Sequence, residues 1–261
     1  MPIMSMAEPR SPTVPARTAL GAIAGPLFVS AFTVIGARRA GYDWRRHAVS
    51  SLAIGRLGWL QRSNFVLTGS LYLLTASGLA RCPRRIVGPA LVPALVGAAG
   101  VGLIGSGVFV TDPVAGFPPP STDGGEVSTT TPTKAAPSRS GTLHNLFAIP
   151  VFVGIPLAGM LSAVSSARSR EYRWAGYSVG SSLVMAVSCV RFGAAFAGAP
   201  SPVAKGGIFQ RISIAAGFAW LSALSLRAFS LGSAKLKPAN TSRCATTAPA
   251  GLILPSPASA E

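Results

Sequence analysis

Asp43, His47 and Ser50 fall close together in the stretch Gly41-Tyr42-Asp43-Trp44-Arg45-Arg46-His47-Ala48-Val49-Ser50, and their types invite nucleophilic or proton-transfer chemistry. A serine, a histidine and an aspartate make a hydrolytic set only when each reaches the next, a geometry that one helix rarely supplies. The same spacing also fits a capped helix. Asp43 can offer its carboxylate to free amides, while Trp44, Ala48, Val49, Leu52, Ala53 and Leu57 share one face and Asp43, His47 and Ser50 another. That pattern predicts a short amphipathic helix lying at a membrane surface, with Trp44 at headgroup depth.

The remaining chemistry-bearing residues sit at the ends of long apolar runs: Arg62, Asp112, His144, Arg191, Gln210 and Arg211. Three uses suit them. His47 and His144 with Asp43 or Asp112 offer the N/O ligands of a catalytic metal, as in a membrane hydrolase. The arginines offer forked hydrogen bonds to a lipid headgroup or a small anionic solute. Or the set simply ties helices together as struts. No ligand spacing singles out a metal, so none is assigned, and the question of a cofactor is left open. The cysteines Cys82, Cys189 and Cys244 are widely spaced and form neither a disulfide framework nor a metal motif.

What must position these residues is a membrane bundle. Charged residues make up only 11% of the chain against about a quarter in soluble domains, and hydrophobic residues 49%. Six stretches meet the length of roughly 20 residues a bilayer requires: Thr18–Ala37, Trp59–Ala80, Ile86–Val110, Leu143–Ala167, Trp174–Phe196 and Ile208–Leu231. The expected fold class is therefore all-α, an integral membrane bundle of six transmembrane helices with a short interfacial helix after the first. The +16 charge is spread in small groups between apolar blocks, the pattern of helix ends at headgroups rather than of a nucleic-acid footprint. Basic residues favour both termini on the cytoplasmic side of a plasma membrane, with Arg38, Arg39, Arg45, Arg46 and Arg56 of the first outer loop running against the trend. Residues 1–17, the Pro- and Thr-rich stretch 116–141 and residues 232–261 are expected to be disordered tails and a tether around a membrane domain of 18–231.

Two sequence patterns bear on packing. Gly176 and Gly180 form a G-x-x-x-G, and Ala94, Ala98, Gly102 and Ser106 repeat every fourth residue, so both stripes are candidates for close helix contact. Pro89 and Pro93 are expected to bend the third span. A fainter echo links spans two, four and six, which open Gly58-Trp59-Leu60-Gln61-Arg62, Gly141-Thr142-Leu143-His144-Asn145 and Gly207-Ile208-Phe209-Gln210-Arg211. Three repeated hairpins would produce it.

These segments in this order carry a resemblance. Gly41-Tyr42-Asp43 with His47 and Ser50-Ser51-Leu52, then Gly58–Arg62 with Asn64-Phe65, resembles the opening of the domain-of-unknown-function 998 family. Gly107-Val108-Phe109 with Thr111-Asp112-Pro113, Gly141 with Leu143-His144-Asn145, and Gly207–Arg211 with Trp220 are similar to its middle and end. The resemblance implies a six-helix membrane protein without an assigned activity, and marks Asp43, His47, Ser50, Asp112, His144 and Arg211 as positions of interest. The chain departs from the family in the long stretch before Gly141 and in carrying Val110 where a proline is common.

Overall fold

The computed structural model describes residues 13–118, 136–197 and 205–234. Eight α-helices run through them: α1 Thr13–Ala37, α2 Gly58–Leu79, α3 Arg84–Val87, α4 Leu91–Val108, α5 Arg139–Ile149, α6 Ile155–Arg168, α7 Tyr172–Phe196 and α8 Gly206–Ala234. Among the described residues there is no strand, only an isolated bridge between Val114 and Phe117. Most of the expected tails and tether lie outside the described residues, although α1 already begins at Thr13 and α8 continues to Ala234.

Proline sets several of the breaks. A π turn, Pro150–Gly154, joins α5 to α6, so both belong to one apolar rod, Arg139–Arg168. Pro150 and Pro156 have no N–H to give the preceding turn, and the wider winding between them accommodates that loss. The expected bend at Pro89 and Pro93 is instead a break. Gly88 takes φ 111°, α3 stops before it, and α4 starts at Leu91, which leaves Pro93 in a first turn where no N–H is missed.

The helices close into a ring. α1 packs on α2, α2 on α4, α4 on the α5–α6 rod, the rod on α7, α7 on α8, and α8 back on α1. Among the described residues, five segments are long and apolar enough to cross a membrane: Ala16–Ala37, Leu91–Val108, Arg139–Arg168, Tyr172–Phe196 and Gly206–Leu231. The remaining member, α2, is 22 residues long, about 33 Å of rise, but is less apolar because Gln61, Asn64, Thr68, Tyr72 and Thr75 line its buried face. Phe28, Phe65, Tyr72 and Phe218 fill the middle of the ring, with Phe28 5.3 Å from both Phe65 and Phe218.

Glycines set how closely the rods approach. A Cβ on Gly69 would stand 2.5 Å from the Gly100 carbonyl, and one on Gly100 2.8 Å from the Gly69 carbonyl, so α2 and α4 cross backbone to backbone. Gly102 and Ser106 of the every-fourth-residue stripe are buried, and Gly102 lies against Phe147 of α5, whereas Ala94 is exposed. Gly176 and Gly180 have nothing within 4 Å of a would-be Cβ and face away from the bundle. Their spacing is no interface within the ring.

Candidate functional site

The polar residues gather at one end of the ring, where the α1–α2 loop and the loop after α4 meet the starts of α2, α5 and α8. The amphipathic helix expected from Asp43 is not an α-helix. Asp43 Oδ1 accepts the Arg45 N–H (2.9 Å) and the Asp43 carbonyl accepts the His47 N–H (2.8 Å), so the capping exists for a single turn. A 3-10 turn follows at Ser50–Ala53. Ala48, Val49, Leu52 and Ala53 go into the bundle core, and His47, on the face expected to be solvated, is only 7% exposed. Burial against the bundle, not lipid, shapes the segment.

Arg211 of α8 holds this loop. Its Nη1 donates to the carbonyls of Trp44 (2.7 Å), Gly207 (3.2 Å) and His47 (3.4 Å), and its Nη2 to the Tyr42 hydroxyl (2.8 Å). The same guanidinium lies over the Phe32 and Tyr42 rings at 5.4 and 5.6 Å. Two further bonds run from loop to helix: Ile208 N–H to the Arg45 carbonyl (3.1 Å), and Val49 N–H to Gln210 Oε1 (2.6 Å). Gly207 makes this approach possible, since a Cβ there would stand 2.5 Å from both the Trp44 and His47 carbonyls. Tyr42 donates onward to the Ala48 carbonyl (3.0 Å), and burial pushes its phenol up against the pull of Arg211.

His47 is fixed by the backbone rather than by a carboxylate. Its Nδ1 accepts the Asp43 N–H at 2.9 Å, so that nitrogen carries the lone pair and the ring is neutral in this arrangement. Burial pulls its pKa below the ordinary imidazole value; Arg46 adds to that, while Asp43 and a bond to the Ala115 carbonyl oppose it. The Asp43 carboxylate is turned to Arg45, and no hydrogen bond joins Ser50 to His47, so the three residues form no hydrolytic relay. Phe117 is the unexpected member of the cluster. It is 1% exposed, with its ring 5.2 Å from His47, 5.3 Å from Tyr42 and 6.0 Å from the Arg39 guanidinium. A tight turn at Ala115 and Gly116, with φ 59° and 84°, sends it there.

Asp112 and His144 form a separate cluster. Asp112 Oδ2 accepts the Ser138 N–H (3.0 Å) and Ser138 Oγ accepts the Gly141 N–H (2.9 Å), which together cap the start of α5. Gly141 leaves room for the Asp112 carboxyl, which a Cβ would strike. His144 Nδ1 lies 2.9 Å from the Phe109 carbonyl and 3.1 Å from that of Ser106, pinning α5 to the end of α4.

The three similar helix openings share a local geometry within the ring. Gly58, Gly141 and Gly207 each receive a group from an incoming segment (the Ala53 carbonyl, the Asp112 carboxyl, and the Trp44 and His47 carbonyls). Three residues on, Gln61, His144 and Gln210 are each buried.

Two expected members lie apart. Arg191 is exposed on α7, 6.0 Å over the Phe209 ring. Arg62 is exposed on α2 and donates its Nε to the Gly107 carbonyl at 3.0 Å. It heads an outward-facing groove of about 560 Å³ between α2 and α4, lined by Trp59, Ser63, Val66, Leu67, Ser70, Gly107 and Val108. Among the described residues no three His, Cys, Asp or Glu side chains come together as metal ligands would, and the two histidines belong to different clusters.

A family model described as "Protein of unknown function (DUF998)" matches residues 22–227. The chain belongs to the DUF998 family. No match was found among curated proteins or solved structures. The DUF998 match runs from within α1 to within α8, and so takes in both polar clusters, the latch that Arg211 forms on the α1–α2 loop, and the groove.

Sequence reading missed one latch at the opposite end. Arg227 of α8 pairs with Glu171 between α6 and α7, donates its Nε to the Ile86 carbonyl (3.1 Å) and lies 5.1 Å over Trp174. The signal was an arginine inside an apolar helix together with one of the seven acidic residues.

Proposed function

We propose that this DUF998 protein spans a plasma membrane six times, α2 being the sixth span, and binds an anionic lipid headgroup at its histidine-bearing end. Both termini then lie in the cytoplasm, and the 42–53 segment sits at the outer interface. The observation that carries the reading is Arg62. Its Nε is pinned to the Gly107 carbonyl, and its two Nη groups have no partner among the described residues. A planar fork held this way suits the paired oxygens of a phosphate. Trp59 beside it is 58% exposed, at a position where indoles meet headgroups, and Val66 and Leu67 continue the groove as a surface for an acyl chain. Arg211, whose fork is taken up by four protein acceptors, serves the latch instead.

Native mass spectrometry of gently solubilised protein tests this. Wild type should retain anionic phospholipid and Arg62→Gln should lose it while keeping the wild-type unfolding midpoint. A wild-type protein that carries no lipid, or an Arg62→Gln protein that carries the same lipid, would sink the proposal. The orientation is tested by thiol labelling of intact cells. A cysteine at Ser169 should stay unlabelled from outside, and labelling there would invert the topology.

A further inference from the structure

At the centre of the ring, beneath the latched loop, lies a cavity of about 30 Å³. It is distinct from the Arg62 groove, which opens outward between α2 and α4. Its walls are mostly apolar side chains, Phe65 among them, but four polar residues border it: Ser50 from the loop, Ser106 from α4, His144 from α5 and Gln210 from α8.

The hydrogen bonds of these four are incomplete. His144 Nδ1 faces two carbonyls, which only accept, so Nδ1 carries the proton and Nε2 keeps a lone pair in the neutral ring. No described residue donates to that Nε2. Gln210 spends its Oε1 on the Val49 N–H, which leaves its amide N–H groups unused. The hydroxyls of Ser50 and Ser106 bond to no described residue. His144 is 5% exposed, Gln210 6% and Ser106 3%, so these three side chains have little access to bulk water, while Ser50 is half-buried. Leaving such groups dry costs more than a buried water costs to hold.

We propose that this cavity is a binding site for water, holding about two molecules at roughly 10–15 Å³ each, which bridge His144 Nε2 to the Gln210 amide and the two serine hydroxyls. The volume excludes a headgroup, a sugar or an amino acid. The waters join α5 to α8 across the ring, where those helices make no direct hydrogen bond, and so couple the two polar clusters. Each partner supplies what water needs: an acceptor at His144 and donors or acceptors at the other three.

The test is radiolytic hydroxyl labelling of the full chain in lipid nanodiscs, in which bound waters generate radicals beside their neighbours. Phe65, 7% exposed and on the cavity wall, should be labelled several-fold faster than Trp220, 1% exposed and off it, although indole is the more reactive ring. Equal or slower labelling of Phe65 in the wild-type protein would overturn the proposal without any variant. Ala148→Val, which fills the cavity, should bring Phe65 down to the Trp220 rate. It should also lower the unfolding midpoint, because displaced waters leave His144 and Gln210 unpaired. A raised midpoint, the response of a dry void to filling, would overturn it equally.

Discussion

Replacing Gly207 by alanine should detach the first loop from α8. A Cβ at this position would lie 2.5 Å from the Trp44 and His47 carbonyl oxygens and 3.0 Å from the Arg45 carbonyl carbon, all of them backbone. Ordinary contact begins near 3.4 Å, so the loop must lift by about 1 Å, since no flexible side chain can give way. That shift stretches the Ile208 N–H···O=C Arg45 bond, now 3.1 Å, and the Arg211···Trp44 bond, now 2.7 Å, beyond hydrogen-bonding range or nearly so. A neutral bond contributes about 1 kcal/mol and a charged one about 1.5–3 kcal/mol, and residual overpacking adds about 1–3 kcal/mol. Because the loop relieves one cost by incurring another, the net loss should be about 3–5 kcal/mol. The assay is the thermal unfolding midpoint in detergent, paired with Gly180→Ala, where nothing lies within 4 Å and alanine should be neutral or mildly stabilising. Thiol labelling of a cysteine placed at Arg46 reports the loop directly, and should quicken in Gly207→Ala alone. If Gly207→Ala and Gly180→Ala unfold together and label alike, Gly207 does not hold the loop against α8.

Two other outcomes are expected. His47 has its pKa lowered by burial, so the folded protein binds fewer protons than the unfolded chain near the ordinary imidazole value. Its contribution is fully present above about pH 6.5 and is lost as pH falls through the depressed value, at about 1.4 kcal/mol per unit of depression. Midpoints measured from pH 8 to pH 5 should fall in wild type and stay flatter in His47→Asn; parallel curves would refute the assignment. At the other end, Glu171 is 40% exposed and Arg227 18%, so solvent screens their pairing. A double-mutant cycle of Arg227→Met and Glu171→Gln should give a coupling of about 1 kcal/mol, and a coupling near zero would leave Arg227 acting only through Ile86 and Trp174.

How much of this was legible in the sequence depended on whether a property belongs to a segment or to a contact. Apolar runs fixed the helical membrane class because hydropathy is a property of the run itself. The gathering of His47, Asp112, His144, Gln210 and Arg211 at one end followed from counting crossings. The identity of the partners did not. Arg211 looks like an anion grip until four acceptors, most of them more than 160 residues away, occupy its fork. Phe117 sits at the edge of a Pro- and Thr-rich stretch whose composition suggests a tether, and nothing local announces that its ring is buried. Gly176 and Gly180 carry the right spacing on the wrong face, which a glycine-rich chain often produces. The polar stripe of α2 was hidden because a hydropathy average mixes its buried face with its outward face.

The closure of the ring by its first and last helices also sets a schedule for biogenesis. The loop that follows α1 is secured by Gln210 and Arg211, 161 residues beyond Val49 and 169 beyond Tyr42. At ribosomal rates of about 5–20 residues per second, that loop waits about 10–30 s after synthesis before its anchor exists. Throughout the interval α1 lacks its α8 neighbour, and the loop that carries Arg39, Arg45 and Arg46 lacks its latch. A chain interrupted anywhere before α8 therefore presents an open ring with an unsecured basic loop.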